Sequence, residues 1–147
     1  LGMAIAEKIN NSRYSTYAML SDGECNEGSI WEAAMLASAQ KTKKLTVIID
    51  YNKWQATGRS QKILSLEPLR AKWESFGWFV KEINGHDFEE IRHPLKEAKK
   101  EDKPSAIIAH TVKGKGVSFM EDNNNWHYRI PNTEELSAAL SEIEVNR

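Results

Sequence analysis

The chain has 147 residues, 40% of them hydrophobic, enough for one compact domain spanning 1–147 with a real core. Its 20 basic and 21 acidic residues interleave to a net charge of −1, so no basic stripe argues for nucleic acid as a partner. No apolar run is long enough to span a membrane and no stretch is patterned as a signal peptide; the single Cys25 excludes an internal disulfide and fits a reducing, cytoplasmic compartment.

Leu1 to Ile9 reads as a helix, with Leu1, Ile5 and Ile9 spaced along one face. Asn10 to Tyr14 make the turn into a first strand, Ser15 to Leu20, whose mostly apolar character predicts burial on both faces. An acidic loop follows, Ser21-Asp22-Gly23-Glu24-Cys25-Asn26-Glu27-Gly28. Ser29 with Glu32 has the pattern of a capping box, and Ile30, Ala33, Ala34 and Ala37 then form a narrow stripe of mostly small side chains. Glu27 and Glu32 suit a helix start, where the dipole favours acids. Lys41 to Lys44 is a basic helix end, and Leu45 to Asp50 is the second strand. Asp50-Tyr51-Asn52-Lys53-Trp54 then echoes the first loop.

Gln55 to Ser60 carries turn chemistry leading into a loop in which Arg59 reads as solvated. Pro68 opens a helix with Leu69, Trp73 and Phe76 as its core stripe and Gly77 as its end. Trp78 to Ile83 alternates as a third strand. Asn84 to Asp87 is a turn containing His86, and Asp87 with Glu90 starts another helix. Pro94 predicts a kink or restart near His93. Lys96 to Lys103 is a solvated charge run, and Ser105 to Thr111 is the fourth strand. The following Lys113-Gly114-Lys115-Gly116 has neither P-loop nor dinucleotide-fingerprint spacing. Asn132 with Glu135 caps the last helix, in which Leu136, Ala139, Leu140 and Ile143 form the expected buried stripe.

Strand, loop, helix, strand, loop at this length is a βαβ unit, which predicts an open parallel sheet flanked by helices. In such a sheet the loops after the strands share one edge, where ligands bind. Asp22 and Asn52 therefore belong to the same edge. Both offer oxygen, which suits magnesium held by few protein groups together with phosphate oxygens. Gly23, without a side chain, lets its backbone N–H approach a phosphate. The same residues also suit a plain acid-rich helix entry followed by an Asn turn. His127, in Trp126-His127-Tyr128, reads either as a structural residue or as an imidazole that shuttles protons near neutral pH.

Asp-Gly followed thirty residues later by Asn resembles the thiamine-diphosphate signature. The longer words extend the match: Ser21 to Ala34, Asp50-Tyr51-Asn52-Lys53-Trp54-Gln55-Ala56-Thr57-Gly58, and Thr111-Val112-Lys113-Gly114-Lys115-Gly116-Val117-Ser118-Phe119-Met120-Glu121. Together they resemble the N-terminal, diphosphate-binding section of transketolase, above all the versions in which that section is a separate subunit. The resemblance runs from Leu1 to about Asn132. Ser21 stands where many members have Gly, as in the split-subunit branch.

The resemblance implies an α/β thiamine-diphosphate-binding fold. Leu1-Gly2-Met3-Ala4-Ile5-Ala6 opens inside a helical pattern that in the family follows further parts of the domain, so an N-terminally truncated domain is expected. The implied cofactors are thiamine diphosphate and Mg2+ (or Ca2+). Asp22 and Asn52 would hold the metal by side chain and Trp54 by its backbone carbonyl. Gly23 would meet the diphosphate, and His127 would serve as acid–base or phosphate ligand. Tyr128 stands where the family commonly has Gly. Glu27 and Glu32 would lie near a dimer interface. The implied activity moves a two-carbon ketol unit from a ketose phosphate to an aldose phosphate. It needs a pyrimidine-binding section or subunit, which supplies the catalytic Glu, so no turnover is expected from this chain alone. Another thiamine enzyme, of the deoxyxylulose phosphate synthase or 2-oxo acid dehydrogenase type, and a non-catalytic truncated domain are the alternatives.

Overall fold

The apolar runs pair side by side into one parallel sheet, as their β-branched composition favours. The structure is a computed structural model that describes residues 1–145. In chain order the first elements are α1 (Gly2–Ile9), β1 (Thr16–Ser21), a 3-10 turn at Glu24–Asn26, α2 (Gly28–Ala39) and β2 (Leu45–Tyr51). A small hairpin, β3 (Trp54–Gln55) and β4 (Gly58–Arg59), leads into the short α3 (Ser60–Ile63) and then α4 (Leu69–Ser75). The rest comprises β5 (Phe79–Asn84), α5 (Phe88–Ala98), β6 (Ser105–His110), a 3-10 turn at Asn124–His127 and α6 (Thr133–Val145). The sheet order is β1-β2-β6-β5, every pairing parallel, so the expected open parallel architecture is what forms.

One face carries the main core. Val47, Ile49, Ala106 and Ile108 pack with Ala34 and Ala37 of α2 and with Leu69 and Trp73 of α4. The two alanines leave room for close approach of helix to sheet. Trp73 fills the centre, its ring 5.4 Å from Trp31 and edge-on to Trp78 at 4.8 Å. The Trp78 indole N–H donates to the Ala34 carbonyl at 2.9 Å, which satisfies a buried donor and ties α2 to the strand that follows α4. On the other face Ile83, Ile107 and Ala109 pack under Ile91 and Leu95 of α5.

Several local expectations give way to tertiary facts. β1 is not buried on both faces: it alternates between half-buried and exposed residues, and Met19 is 72% exposed. It is an edge strand, and the α5 cluster gathers residues of β5 and β6, leaving the same face of β1 open. The Ser29–Glu32 capping box is not made; α2 begins at Gly28 with Glu27 as its N-cap and no side-chain cap bond. The reciprocal pair occurs earlier. Glu24 N–H donates to Ser21 Oγ at 3.1 Å and Ser21 N–H donates to Glu24 Oε2 at 3.3 Å. Ser21 ends a strand and Glu24 opens the 3-10 turn, so the extended-to-helical step that a capping box needs comes there first.

Helix α5 runs unbroken through Pro94, so the expected restart near His93 does not occur. Pro94 is itself buried, and Ile91 and Leu95 on either side of it are anchored to the sheet. The Asp87 cap is made as expected, its carboxylate accepting from Glu89 and Glu90 N–H. So is the Asn132–Glu135 box, with both reciprocal bonds at 2.9 Å. The buried stripe of α6 is not: Ala139 is buried, but Leu136, Leu140 and Ile143 are 49%, 52% and 44% exposed. Helical spacing puts these residues on one face, which the described residues leave about half open; the helix is tied down through Glu142, which accepts from the Ser118 Oγ at 2.8 Å.

Tyr51 supplies a pH-sensitive contact next to the main core. Its hydroxyl donates to Glu67 Oε1 at 2.6 Å, and this bond holds the Glu67 carboxyl below its usual range. A carboxyl depressed in the folded state stabilises above its unfolded value of 4.5 and loses that contribution as pH falls through the folded value. Tyr51→Phe should therefore flatten the acid limb of thermal stability below about pH 4.5, read from melting temperatures between pH 3 and 7. An unchanged acid limb would contradict this assignment.

Candidate functional site

The site grows from the register of β1 on β2. Ser21 lies opposite Asp50, and Asp22 N–H donates to the Asp50 carbonyl at 3.2 Å, carrying the pairing one residue past the strand. Asp22 is thereby drawn wholly inside, at 0% exposure. Its Oδ1 accepts from Gly23 N–H at 2.8 Å and its Oδ2 from Ser60 Oγ at 2.7 Å, while Lys53 N–H donates to the same carboxylate. Burial pushes this carboxyl above its ordinary value; the three donors pull it back, and the neighbouring Asp50 charge pushes it up again. Gly23 sits at φ −60°, so its glycine is a matter of space. A Cβ there would lie 3.2 Å from Gln55 Cγ.

After β2 the chain makes a tight reversal. Asn52 Oδ1 accepts from Trp54 N–H at 2.9 Å, and its Nδ2 donates to Asp50 Oδ2 at 3.1 Å. Lys53 takes a left-handed φ of +69°, uncommon for a residue with a side chain. That turn aims its N–H at Asp22, while its carbonyl accepts from Ser60 N–H at 3.0 Å. The hairpin β3–β4, with Trp54 opposite Arg59, returns the chain and delivers Ser60 to Asp22. Asp22, Gly23, Asn52 and Trp54 are thus gathered at the C-terminal edge of β1 and β2, as their spacing predicts.

His127 lies on a separate arm, in contact with Lys113 and Tyr128. The arm leaves β6 at Thr111, whose hydroxyl donates to Asp50 Oδ1, and Val112 N–H donates to His86 Nε2 at 2.7 Å. His86 is therefore more than a turn residue; it anchors the start of the arm. Gly114 is at φ +74°, and a Cβ on it would lie 2.5 Å from the Met120 carbonyl oxygen, so the arm folds on itself only with glycine there. Trp126 donates its indole N–H to the Phe119 carbonyl at 2.9 Å. His127 is exposed, with Nδ1 3.4 Å from Lys113 Nζ and its ring edge-on to Tyr128 at 4.6 Å. The arm meets the hairpin at Asp122, which accepts from the Trp54 indole N–H at 2.8 Å. Arg59 stays partly exposed, as its loop position suggested, and is also paired with Asp122.

The donor set fits a hard divalent cation beside a diphosphate. A buried carboxylate is costly unless a positive charge balances it. Asp22 has neutral donors as partners, and the charge acting on it is a second carboxylate. Among the described residues no group of three or more His, Cys, Asp or Glu is placed to hold a metal. What the edge offers is carboxylate and carboxamide oxygen, the magnesium and calcium chemistry. The Gln55 amide nitrogen, on the side chain that abuts Gly23, is a buried donor with no partner among the described residues, a group that an anion would satisfy. Cys25, although in the same loop, is buried, and its thiol is pushed up to about 12, so it stays protonated at neutral pH. Reading the motif alone misses Ser60, Gln55, Asp50, Thr111 and Asp122. Asp50 stands inside the second acidic loop; the others depend on the hairpin and the arm closing back.

Residues 2–143 match the family model for the transketolase, thiamine diphosphate binding domain. The chain is 42% identical over 144 residues to one subunit of the apulose-4-phosphate transketolase of Phocaeicola vulgatus, covering 97% of this chain and 51% of that protein. It is 42% identical over 145 residues to the 6-deoxy-6-sulfo-D-fructose transketolase subunit SqwG of a Clostridium species, covering 98% and 53%. It thus spans about half the length of these curated relatives. Among solved structures, transketolase from Campylobacter jejuni superposes with a TM-score of 0.82 at 26% identity, covering 99% of this chain and 28% of that one. A parallel sheet with this acidic edge, a family model across nearly the whole chain and relatives above 40% identity lead to one assignment: the chain belongs to the transketolase thiamine-diphosphate-binding domain family.

Proposed function

We propose that the chain is the diphosphate- and metal-binding section of a transketolase, moving a two-carbon ketol unit from a ketose phosphate to an aldose phosphate in pentose-phosphate-type carbohydrate metabolism. The observation that carries the reading is Asp22: a fully buried carboxylate, beside a second acid, with no basic side chain among its partners. Asp22 and Asn52 hold Mg2+ (or Ca2+) by side chain and Trp54 by its carbonyl. Gly23 N–H would meet the diphosphate, with the Gln55 amide beside it as a further donor. Thiamine diphosphate supplies, when bound, the carbanion chemistry that breaks and makes the ketol carbon–carbon bond. His127 holds and moves a proton beside the phosphate. A Lys ammonium only donates, so Lys113 facing Nδ1 leaves the other ring nitrogen, Nε2, as the imidazole's donor.

The same reading takes 1–147 as a single domain of a cytoplasmic protein. Among the described residues no helix is long and apolar enough to cross a membrane. The partner is a pyrimidine-binding section or subunit that supplies the catalytic Glu, in a dimer of such pairs. The names of two relatives, both transketolase subunits, support a divided enzyme.

The test is thiamine diphosphate binding by tryptophan fluorescence, with magnesium and with chelator, on the chain joined by its pyrimidine-binding section. Magnesium-dependent binding and ketol transfer are expected from the pair, and no transfer from the chain alone. Robust transfer by this polypeptide unaided, or a pair that binds no thiamine diphosphate, would overturn the reading.

A further inference from the structure

The hairpin and the arm carrying His127 are far apart in sequence, and they are closed onto each other by one compact arrangement. The Arg59 guanidinium lies over the Trp54 ring at 3.8 Å. It grips Asp122 with both ends: Nη1 donates to Oδ1 at 2.7 Å, and the other Nη donates to Oδ2. Trp54 donates its own indole N–H to Asp122 Oδ1, the oxygen that Nη1 holds, at 2.8 Å. Cation, ring and carboxylate therefore form a closed triangle in which each member holds the other two. Asn124 adds a second tie, its Nδ2 donating to the Ala56 carbonyl at 3.0 Å.

Asp122 also ties the arm to itself. It takes a left-handed φ of +54°, and its N–H donates to the Lys113 carbonyl at 2.9 Å. Lys113 is the residue whose ammonium faces His127. A continuous run of contacts thus leads from Trp54 through Asp122 and Lys113 to His127. A lone exposed ion pair contributes little to stability. A bidentate fork stacked on a ring has fixed geometry, which suits it to placement more than to holding the fold together.

We propose that Arg59 and Asp122 are positioning residues, clasping the Trp54 hairpin to the Lys113–His127 arm so that the metal side and the proton-handling side of the site are set as one unit. The role rests on the cofactor reading above, but the clasp itself can be tested without it. Without Arg59 the hairpin keeps its Lys53 and Ser60 backbone bond, but its tie to the arm is reduced to the single Trp54–Asp122 and Asn124–Ala56 hydrogen bonds, without the planar fork that fixes their geometry. Lysine at 59 keeps the charge and loses the planar fork, so it should behave like alanine.

Hydrogen exchange and magnesium-dependent thiamine diphosphate affinity would be measured together on the partnered protein, for the parent, Arg59→Ala, Arg59→Lys, Asp122→Ala and the Ala double variant. The expected result is faster exchange of about tenfold in both 54–59 and 112–127 for every single variant, with melting temperature nearly unchanged. Cofactor affinity should fall about tenfold, and the double variant should do no more than either single one, as members of one unit behave. Exchange that rises only on the substituted segment, or effects that add, would overturn the clasp. Coupled exchange with unaltered affinity would overturn the positioning role. A parent that shows the coupled exchange and binds no thiamine diphosphate would instead sink the cofactor reading, and the positioning role with it.

Discussion

Asp22→Asn should abolish magnesium-dependent binding of thiamine diphosphate while leaving the metal-free fold as stable as the parent or more so. Asparagine keeps an acceptor oxygen for Gly23 N–H, and its amide N–H can donate to Ser60 Oγ, a hydroxyl able to accept as well as donate, so the loop has no reason to collapse. It removes the charge that burial and Asp50 make costly. Losing the one fully buried anionic donor at this edge should weaken magnesium-dependent affinity at least about 100-fold, or ~2.7 kcal/mol. The metal-free parent should also carry a pH signature. A carboxyl whose folded value is raised above 3.8 stabilises below that value and loses the contribution as pH rises through the folded one. Magnesium should reverse that loss in the parent, and Asp22→Asn should lack both the slope and the response. Fluorescence titration and thermal melts with magnesium or chelator read all of this. A variant that still binds with magnesium dependence within a few-fold of the parent would refute the assignment of Asp22.

The largest expected loss of stability lies at Trp73. It is 1% exposed, at the centre of the cluster joining α4, α2 and the β5 side of the sheet. Trp73→Ala should cost about 3–5 kcal/mol in urea unfolding, through lost transfer energy and the cavity left between Trp31 and Trp78. Its indole nitrogen is buried without a partner, so Trp73→Phe removes an unpaired donor along with part of the ring. The phenylalanine variant should therefore lose far less, under about 2 kcal/mol. Equal losses in the two variants would contradict this account, because phenylalanine leaves a much smaller cavity than alanine, and a loss below about 1 kcal/mol for alanine would place Trp73 outside the core.

The edge that carries Asp22 and Asn52 divides what a segment determines from what packing determines. Asp22 and Asn52 each follow an apolar run, and in a parallel sheet chain ends that follow strands come out on one edge. That rule needs no coordinates. Ser60 has no such marker. It reaches Asp22 because Lys53 turns left-handed and the hairpin Trp54–Arg59 returns the chain, and neither event leaves a strong trace in Gln55 to Ser60. The pairing of Arg59 has no such marker either. A lone arginine in a loop reads as solvated, and its partner Asp122 lies in another arm, brought to it by β6 emerging next to β2.

Amphipathic patterns divide in the same way. The stripes Leu69, Trp73 of α4 and Ala34, Ala37 of α2 are buried, whereas Leu136, Leu140 and Ile143 of α6 share a face that stays half open. β1 likewise has the composition of a buried strand and the burial of an edge strand. Helical and strand spacing are properties of a single segment, so the chain alone determines where elements begin, which residues share a face, the caps at Asp87 and Asn132, and the pairing of Asp22 with Asn52 on one edge. Whether a face is covered depends on the volume and placement of other segments. Whether two loops meet depends on sheet order and on single left-handed residues such as Lys53 and Asp122. The tertiary structure alone decided those, and with them the Ser60 bond to Asp22, the clasp at Asp122 and the open face of α6.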